Sequence, residues 1–229
     1  DPDTTLNPYS LQAAFHAAGA ALKAVELVLG AEVANAFCAV RPPGHHAEPE
    51  RAMGFCLFNN IAIAVAHALA HYGLQRVAII DFDVHHGNGT ESMFSGDQRV
   101  LFCSSFQHPF YPGTRLDSTA DNIIHAPLSA GEGSEAFRAT YREKIFPAVE
   151  AFSPQMIFVS AGFDAHVEDA MSGLQLIDED YSWVSEQIMT LASRHAAGRV
   201  VSLLEGGYAL DALGRCTARH IRLLANSPS

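Results

Sequence analysis

The sequence predicts an α/β fold of three layers (α/β/α), with helices on both faces of a mainly parallel central sheet. Two observations predict it. The apolar runs are short and continuous, not alternating, as strands buried on both faces require. Helical patterns separate them, so successive strands are joined by crossovers and run parallel. A chain of 229 residues buries a sizeable core, and 48% hydrophobic with 17% charged residues is a globular composition. No linker, repeat or low-complexity stretch divides it, so residues 1–229 read as one domain.

The elements follow in order. "SLQAAFHAAGAALKAVELVLG", residues 10–30, is an amphipathic helix with Ser10 as N-cap and Gly30 as its stop. "AFCAV", 36–40, is a short strand ending at "RPPG". "CLFNNIAIAVAHALAHYG", 56–73, is a helix closed by Gly73. "RVAIIDF", 76–82, and "RVLFCSS", 99–105, are buried strands. Residues 106–133 hold little regular pattern and read as long loops. Residues 134–151 form a helix in which Pro147 can introduce a kink. "QMIFVSA", 155–161, is a strand, and 178–197 a helix whose acidic start suits the helix dipole. "RVVSLLE", 199–205, is the last strand, followed by a helix over 210–225.

Charge and cysteines narrow the class. Lys plus Arg number 14 against 25 Asp plus Glu, a formal charge of -11, which disfavours direct nucleic-acid binding and anionic membranes. The four cysteines, Cys38, Cys56, Cys103 and Cys216, are scattered, which excludes a disulfide framework or zinc ribbon and points to a reducing, cytoplasmic setting. "DPDTTLNPYS" lacks the pattern of a signal peptide. The most apolar helix is too short to span a bilayer and includes Asn59 and Asn60. Oligomeric state stays open, a homo-oligomer included.

In parallel sheets, ligands gather at the carboxyl ends of the strands. Here residues 41–46, 81–86, 104–111, 163–164 and 205–208 place polar side chains at five such ends. In "IIDFDVHHGNGT", 79–90, alternation puts Asp81, Asp83 and His85 on one side and Phe82 and Val84 on the other. The bland alternative is a capping aspartate with core histidines. Two aspartates at the end of a buried strand repel without a cation, which favours a metal site. Asp164 of "SAGFDAH" is placed to add a ligand. Two carboxylates and an imidazole leave a position open, as catalytic zinc requires, with Fe(II) and Mn(II) as alternatives. "RPPGHH" lifts His45 and His46 onto a stiff loop, where a histidine can act as a base. In "EGGYAL", Tyr208 can donate to an oxyanion or simply pack.

"RPPGHHAEPERAMGFCLFNNIAIA", "IIDFDVHHGNGTESMF", "FYPGT", "VSAGFDAH" and "LLEGGYAL" together resemble the zinc-dependent histone deacetylases, nearest to class II and its bacterial amidohydrolase relatives. The resemblance runs from about Asn35 to Ala225. It implies the arginase/deacetylase architecture and hydrolysis of an acetylated lysine or acetylated small amine. By resemblance Asp83, His85 and Asp164 bind zinc. His46 looks like the general base, His45 like its partner held by Asp81, and Asn88 like the group behind His46. Tyr208 looks like the carbonyl-polarising phenol. Gly54, Phe55 and an aromatic at 110 or 111, taken as Tyr111, resemble the substrate channel, with Met171 at the rim. Asp81, Ser104 and backbone carbonyls around Asp83, His85 and Ser105 resemble a monovalent-cation site, usually potassium.

The chain also departs from that pattern. Family members usually carry a first strand and rim loops before the segment matching Asp1, so either this is a fragment or the entrance is abbreviated, and a missing strand could expose a sheet edge. Met171 stands where polyamine-selective members place a glutamate. Two rivals remain. A binuclear manganese ureohydrolase would need a carboxylate two positions after Asp164, where this chain has His166. A non-catalytic acetyl-amine binding module would not need all the catalytic positions.

Overall fold

The computed structural model describes residues 1–117 and 120–226. Six strands form one sheet: β1 (Asn35–Cys38), β2 (Val77–Asp81), β3 (Val100–Gln107), β4 (Ile123–Leu128), β5 (Met156–Ala161) and β6 (Val200–Leu204). Their order is β1-β6-β5-β2-β3-β4, and every pairing is parallel, so the expected mainly parallel sheet is wholly so. From β2 the chain winds outward through β3 and β4, then returns to place β5 on the other side of β2. This reversal opens a crevice beyond the carboxyl ends of β2 and β5.

Side-chain alternation divides the core. On one face Val77 and Ile79 of β2 pack with α1 (Ser10–Leu29) and α2 (Asn60–His71). On the other, Ala78, Ile80, Phe82 and Val84 pack with α6 (Asp178–His195) and the helices after β4. The alternation expected for Asp81, Asp83 and their neighbours therefore continues past the end of β2. Burying an Ile or Phe of this kind contributes about 1.5–3 kcal/mol.

Local chemistry sets the boundaries. The Asn59 side chain accepts the Ala62 N–H at 3.0 Å, so α2 begins there and not at Cys56. The same amide donates to Ala47 O and Thr90 Oγ1, both at 3.2 Å, tying α2 to the histidine-bearing loop. Gly73 closes α2 in the left-handed region (φ 67°). Ser10 lies inside α1, not at its N-cap; that position is Tyr9, which makes no side-chain cap, while Gly30 does end the helix. In α6, Asp180 accepts the Ile177 N–H at 3.0 Å and stands in an acidic first turn.

Two further expectations need correction. The loop expected over 106–133 contains the end of β3 and all of β4. "IIHAPL" conceals a strand because His125 and Pro127 interrupt its apolar run, and an edge strand tolerates proline. Within 134–151 the irregularity is a π turn, Tyr141–Ile145, between α4 (Ser134–Thr140) and α5 (Phe146–Phe152); Pro147 lies in the first turn of α5. A short helix, α3 (Asn88–Phe94), was also not anticipated.

The last helix, α7 (Leu210–Ala225), docks through His220. Its ring accepts or donates hydrogen bonds to Ser185 Oγ (2.7 Å) and Ser202 Oγ (2.9 Å) and lies among Phe37, Phe82 and Phe163. Burial pushes the imidazole down to about 4 from an ordinary 6.5. The unfolded chain thus takes up a proton that the folded chain refuses. Stability falls as pH drops below 6.5, and the loss is complete below about 4, amounting to about 3 kcal/mol. Urea unfolding across that window should show His220→Gln losing markedly less stability than the parent on acidification. Parallel curves for the two proteins would refute the assignment.

Candidate functional site

The crevice at the β2/β5 switch gathers the predicted ligands. Asp83 follows β2, and its Oδ1 accepts the His85 N–H at 2.8 Å while Oδ2 accepts the Gly206 N–H at 2.7 Å. Asp164 follows β5, and its Oδ1 accepts the Val84 N–H at 3.0 Å. His85 Nδ1 then lies 3.1 Å from both Asp83 Oδ1 and Asp164 Oδ2. These three residues offer donor atoms within 4.8 Å of one another. The backbone is shaped to admit the carboxylates. A Cβ on Gly206 would collide with Asp164 Oδ2 and Asp83 Oδ2, and one on Gly162 with Asp83 Oδ2.

The crevice attracts positive charge. Asp81, Asp83, Asp164 and Glu205 are all buried there. Burial raises the Asp81, Asp164 and Glu205 carboxyls above their ordinary range. Burial opposes a charged His85, yet Asp164 and Asp83 outweigh it and raise the ring to about 10. A donor set of two carboxylates and one imidazole at such a point fits a divalent ion.

His45 and His46 are adjacent, with ring centroids 4.1 Å apart, but their environments differ. His45 Nδ1 meets Asp81 Oδ2 at 3.0 Å. Burial disfavours its charge, but Asp81, Asp83 and Glu205 together push it well above the histidine range. His46 Nδ1 meets the amide oxygen of Asn88 at 2.8 Å. Burial and the neighbouring His45 charge hold His46 well below that range. One ring stays cationic and the other neutral, the separation expected of an acid/base pair.

Tyr208 follows β6 over the same crevice. Its phenol stays protonated: burial raises it, and the Asp164 and Asp83 charges add to that. The Tyr208 ring lines a pocket of about 680 Å³, counting its open mouth. Asp83 and His85 line it with His46, Gly54, Phe55, Tyr111, Met171 and Tyr208. Phe110 lines it too, stacked on His85 at 5.2 Å, so both aromatics of the 110–111 pair are present. Met171 is 42% exposed at the mouth. Ser104 pairs in register with Asp81, and its buried Oγ finds no hydrogen-bond partner among the described residues. Ser105 Oγ is instead engaged by the Tyr141 hydroxyl at 3.0 Å.

Other residues around the site received no individual role in the sequence reading, although Arg41 and Glu205 fall within its polar strand ends. Glu205 Oε2 accepts the N–H groups of Gly44 (2.7 Å) and His45 (3.1 Å), fixing the histidine loop. Asp169 Oδ2 accepts those of Tyr208 (2.7 Å) and Ala209 (3.0 Å). Arg41 donates to the carbonyls of Glu205 (2.9 Å) and Gly207 (3.2 Å). Tyr111 donates to Asp1 Oδ2 at 2.9 Å, and Asp3 also lines the pocket. The paired glycines beside an acidic strand end were the available signal for Glu205; the long-range contacts of Asp169 and Asp1 left none.

Comparison with known proteins decides the family: residues 1–224 match the description "Histone deacetylase domain". The chain belongs to the histone deacetylase family. It is 40% identical over 97% of its length to Type-2 histone deacetylase 2 of Dictyostelium discoideum, covering 14% of that protein. It is 42% identical over 93% of its length to the chloroplastic Histone deacetylase 14 of Arabidopsis thaliana, covering 53% of it. A histone deacetylase-like amidohydrolase of Pseudomonas aeruginosa is 39% identical over 90% of the chain, which spans 56% of that relative. The crystal structure of the HDA15 HD domain superposes with a TM-score of 0.92 at 35% identity, over 99% of this chain and 67% of that one. Among the described residues, no helix is long and apolar enough to cross a membrane.

Gly206→Ala tests the carboxylate cradle. The deacetylase-family chain with this change should keep its far-UV circular dichroism and lose divalent-ion affinity by about 10–100-fold in equilibrium dialysis. Unchanged affinity would show that the close approach of backbone to carboxylate is dispensable.

Proposed function

We propose that this chain hydrolyses the amide of an acetylated amine, of the acetyl-lysine or acetylpolyamine type, with zinc as cofactor. One observation carries the reading: Asp83, His85 and Asp164 bring their donor atoms together, and Asp83 and His85 line a pocket with His46 and Tyr208. Zinc held by those three residues would supply Lewis acidity toward the amide carbonyl and toward water.

The chain's own groups do the rest. Asn88 occupies Nδ1 of His46, which leaves Nε2 as the atom that takes a proton from attacking water and returns it to the leaving amine. Its depressed basicity keeps that atom free at neutral pH. His45, tied to Asp81, contributes a fixed positive charge beside it. The Tyr208 phenol donates to the carbonyl oxygen as negative charge develops there. Phe55 and Tyr111 hold the aliphatic stem of the amine. A potassium ion beside Asp81 and Ser104, with carbonyls around Asp83, His85 and Ser105, belongs to the same proposal; the unpartnered Ser104 hydroxyl supports it. A cytoplasmic setting is part of the same proposal, although the Arabidopsis relative is named chloroplastic.

A binuclear ureohydrolase is disfavoured by His166. Its Nε2 meets Asp178 Oδ1 at 3.0 Å and its Nδ1 accepts the Glu168 N–H at 3.1 Å, so both ring nitrogens are engaged away from the crevice. A binding module without catalysis would not explain the separated histidine pair.

Acetyl-lysine peptides and N-acetylpolyamines, assayed with added zinc and again with a chelator, test the reading. Turnover that the chelator abolishes supports it; turnover indifferent to the chelator contradicts it. Tyr208→Phe should retain divalent-ion binding and lose about 100–1,000-fold in turnover. Parental turnover in that variant would remove Tyr208 from the mechanism.

A further inference from the structure

A second set of ligating side chains lies one residue beyond His85, outside the crevice. His86, Glu91 and His125 come from the turn after β2, from α3 and from β4, and offer donor atoms within 4.8 Å of one another. Glu91 Oε2 lies 2.6 Å from His125 Nε2 and 2.9 Å from His86 Nε2. The two imidazoles stand edge to face at 89°, centroids 5.0 Å apart.

His86 supplies the observation that separates this cluster from an ordinary hydrogen-bonded group. It is 2% exposed, yet its Nε2 makes no hydrogen bond among the described residues. Glu91 is near enough but lies off the line of the ring N–H. Its other nitrogen, Nδ1, is held by Thr114 Oγ1 at 2.8 Å, which fixes the ring and turns Nε2 toward Glu91 and His125. An orphaned buried nitrogen is costly, and a metal ligand is typically oriented by just such a bond on its other nitrogen. His125 Nε2 is hydrogen-bonded to Glu91 Oε2 while His86 Nε2 beside it is not, and a cation shared by the three would satisfy them all.

A third cluster, His166, Asp178 and Cys216, shows the contrast. There the guanidinium groups of Arg215 and Arg219 already reach Asp178, and both nitrogens of His166 are engaged. That cluster needs no cation. The groove beside His86 and Glu91 carries Arg51 and Arg115, but Arg115 is paired with Asp117, and Glu48 adds a further negative charge.

We propose that His86, Glu91 and His125 form a second divalent-cation site of the His2Glu type, suited to zinc and open on its fourth side to the surface groove. Zinc ligand atoms at bond lengths of about 2.0–2.2 Å stand about 3.3 Å apart, so Glu91 need shift only slightly outward. The ion would tie the edge strand β4 to the turn carrying His85 and to the helix carrying Asn88. Its role is therefore structural, and it does not depend on the deacetylase reading.

Equilibrium dialysis against zinc, with metal counted by mass spectrometry, tests this. Two ions per chain are expected for the parent, one each for His125→Asn and Asp164→Asn, and none for the double variant. Thermal unfolding should show the parent stabilised by zinc more than His125→Asn. A parental count of one that His125→Asn leaves unchanged and Asp164→Asn abolishes overturns the second site and spares the crevice. A count of one lost in His125→Asn but kept in Asp164→Asn supports the second site and sinks the first. If His125→Asn does not fold, Glu91→Gln carries the same test.

Discussion

Four carboxylates, Asp81, Asp83, Asp164 and Glu205, are buried together where β2, β5 and β6 end, and such a cluster is costly unless positive charge or bound protons offset it. Much of the surrounding structure supplies or accommodates that charge. His45 is held cationic by three of the four. Backbone N–H groups of Val84, His85 and Gly206 point at the remaining oxygens. Glycines stand where any side chain would invade the cluster. The donor geometry leaves a place for a divalent ion between Asp83, His85 and Asp164.

The parallel sheet makes this arrangement attainable. Winding outward from β2 and returning at β5 brings together strand ends separated by some eighty residues in sequence, as the 79-residue spacing of His85 and Asp164 shows. Loops then hang from the same edge and are cross-braced. Asn59 caps α2 and grips the histidine loop, Glu205 holds its backbone, and Arg41 holds the segment leading to Tyr208. The acid/base difference between His45 and His46 follows from this bracing, because one ring is delivered to a carboxylate and the other to an amide oxygen.

Much of this was legible in the sequence. Strands β2, β3, β5 and β6 announce themselves because both faces are buried, so each run is mainly apolar and its residues do not alternate with polar ones. The convergence of Asp83 and His85 with Asp164, the proposed ligand set, was legible because "DFDVHH" puts charge at such a run's end. Edge strand β4 was not, since His125 and Pro127 serve needs other than burial. Helix α3 was hidden by Gly89 and Thr90, residues that favour loops but pack here against the histidine loop and Asn59. The π turn at Tyr141 has no sequence signature of its own. Glu205 and Asp169 act on backbone N–H groups far along the chain, and composition cannot reveal such partners. The chain spans 14% and 53% of the length of its Dictyostelium and Arabidopsis relatives.

The central claim is that the crevice binds a divalent ion through two carboxylates and one imidazole nitrogen. Anomalous diffraction from crystals grown with zinc, collected on both sides of the zinc edge, addresses it most directly. The account predicts a peak bounded by Asp83, His85 Nδ1 and Asp164, beneath Tyr208. A fully loaded crystal with no anomalous density among those three side chains would contradict it.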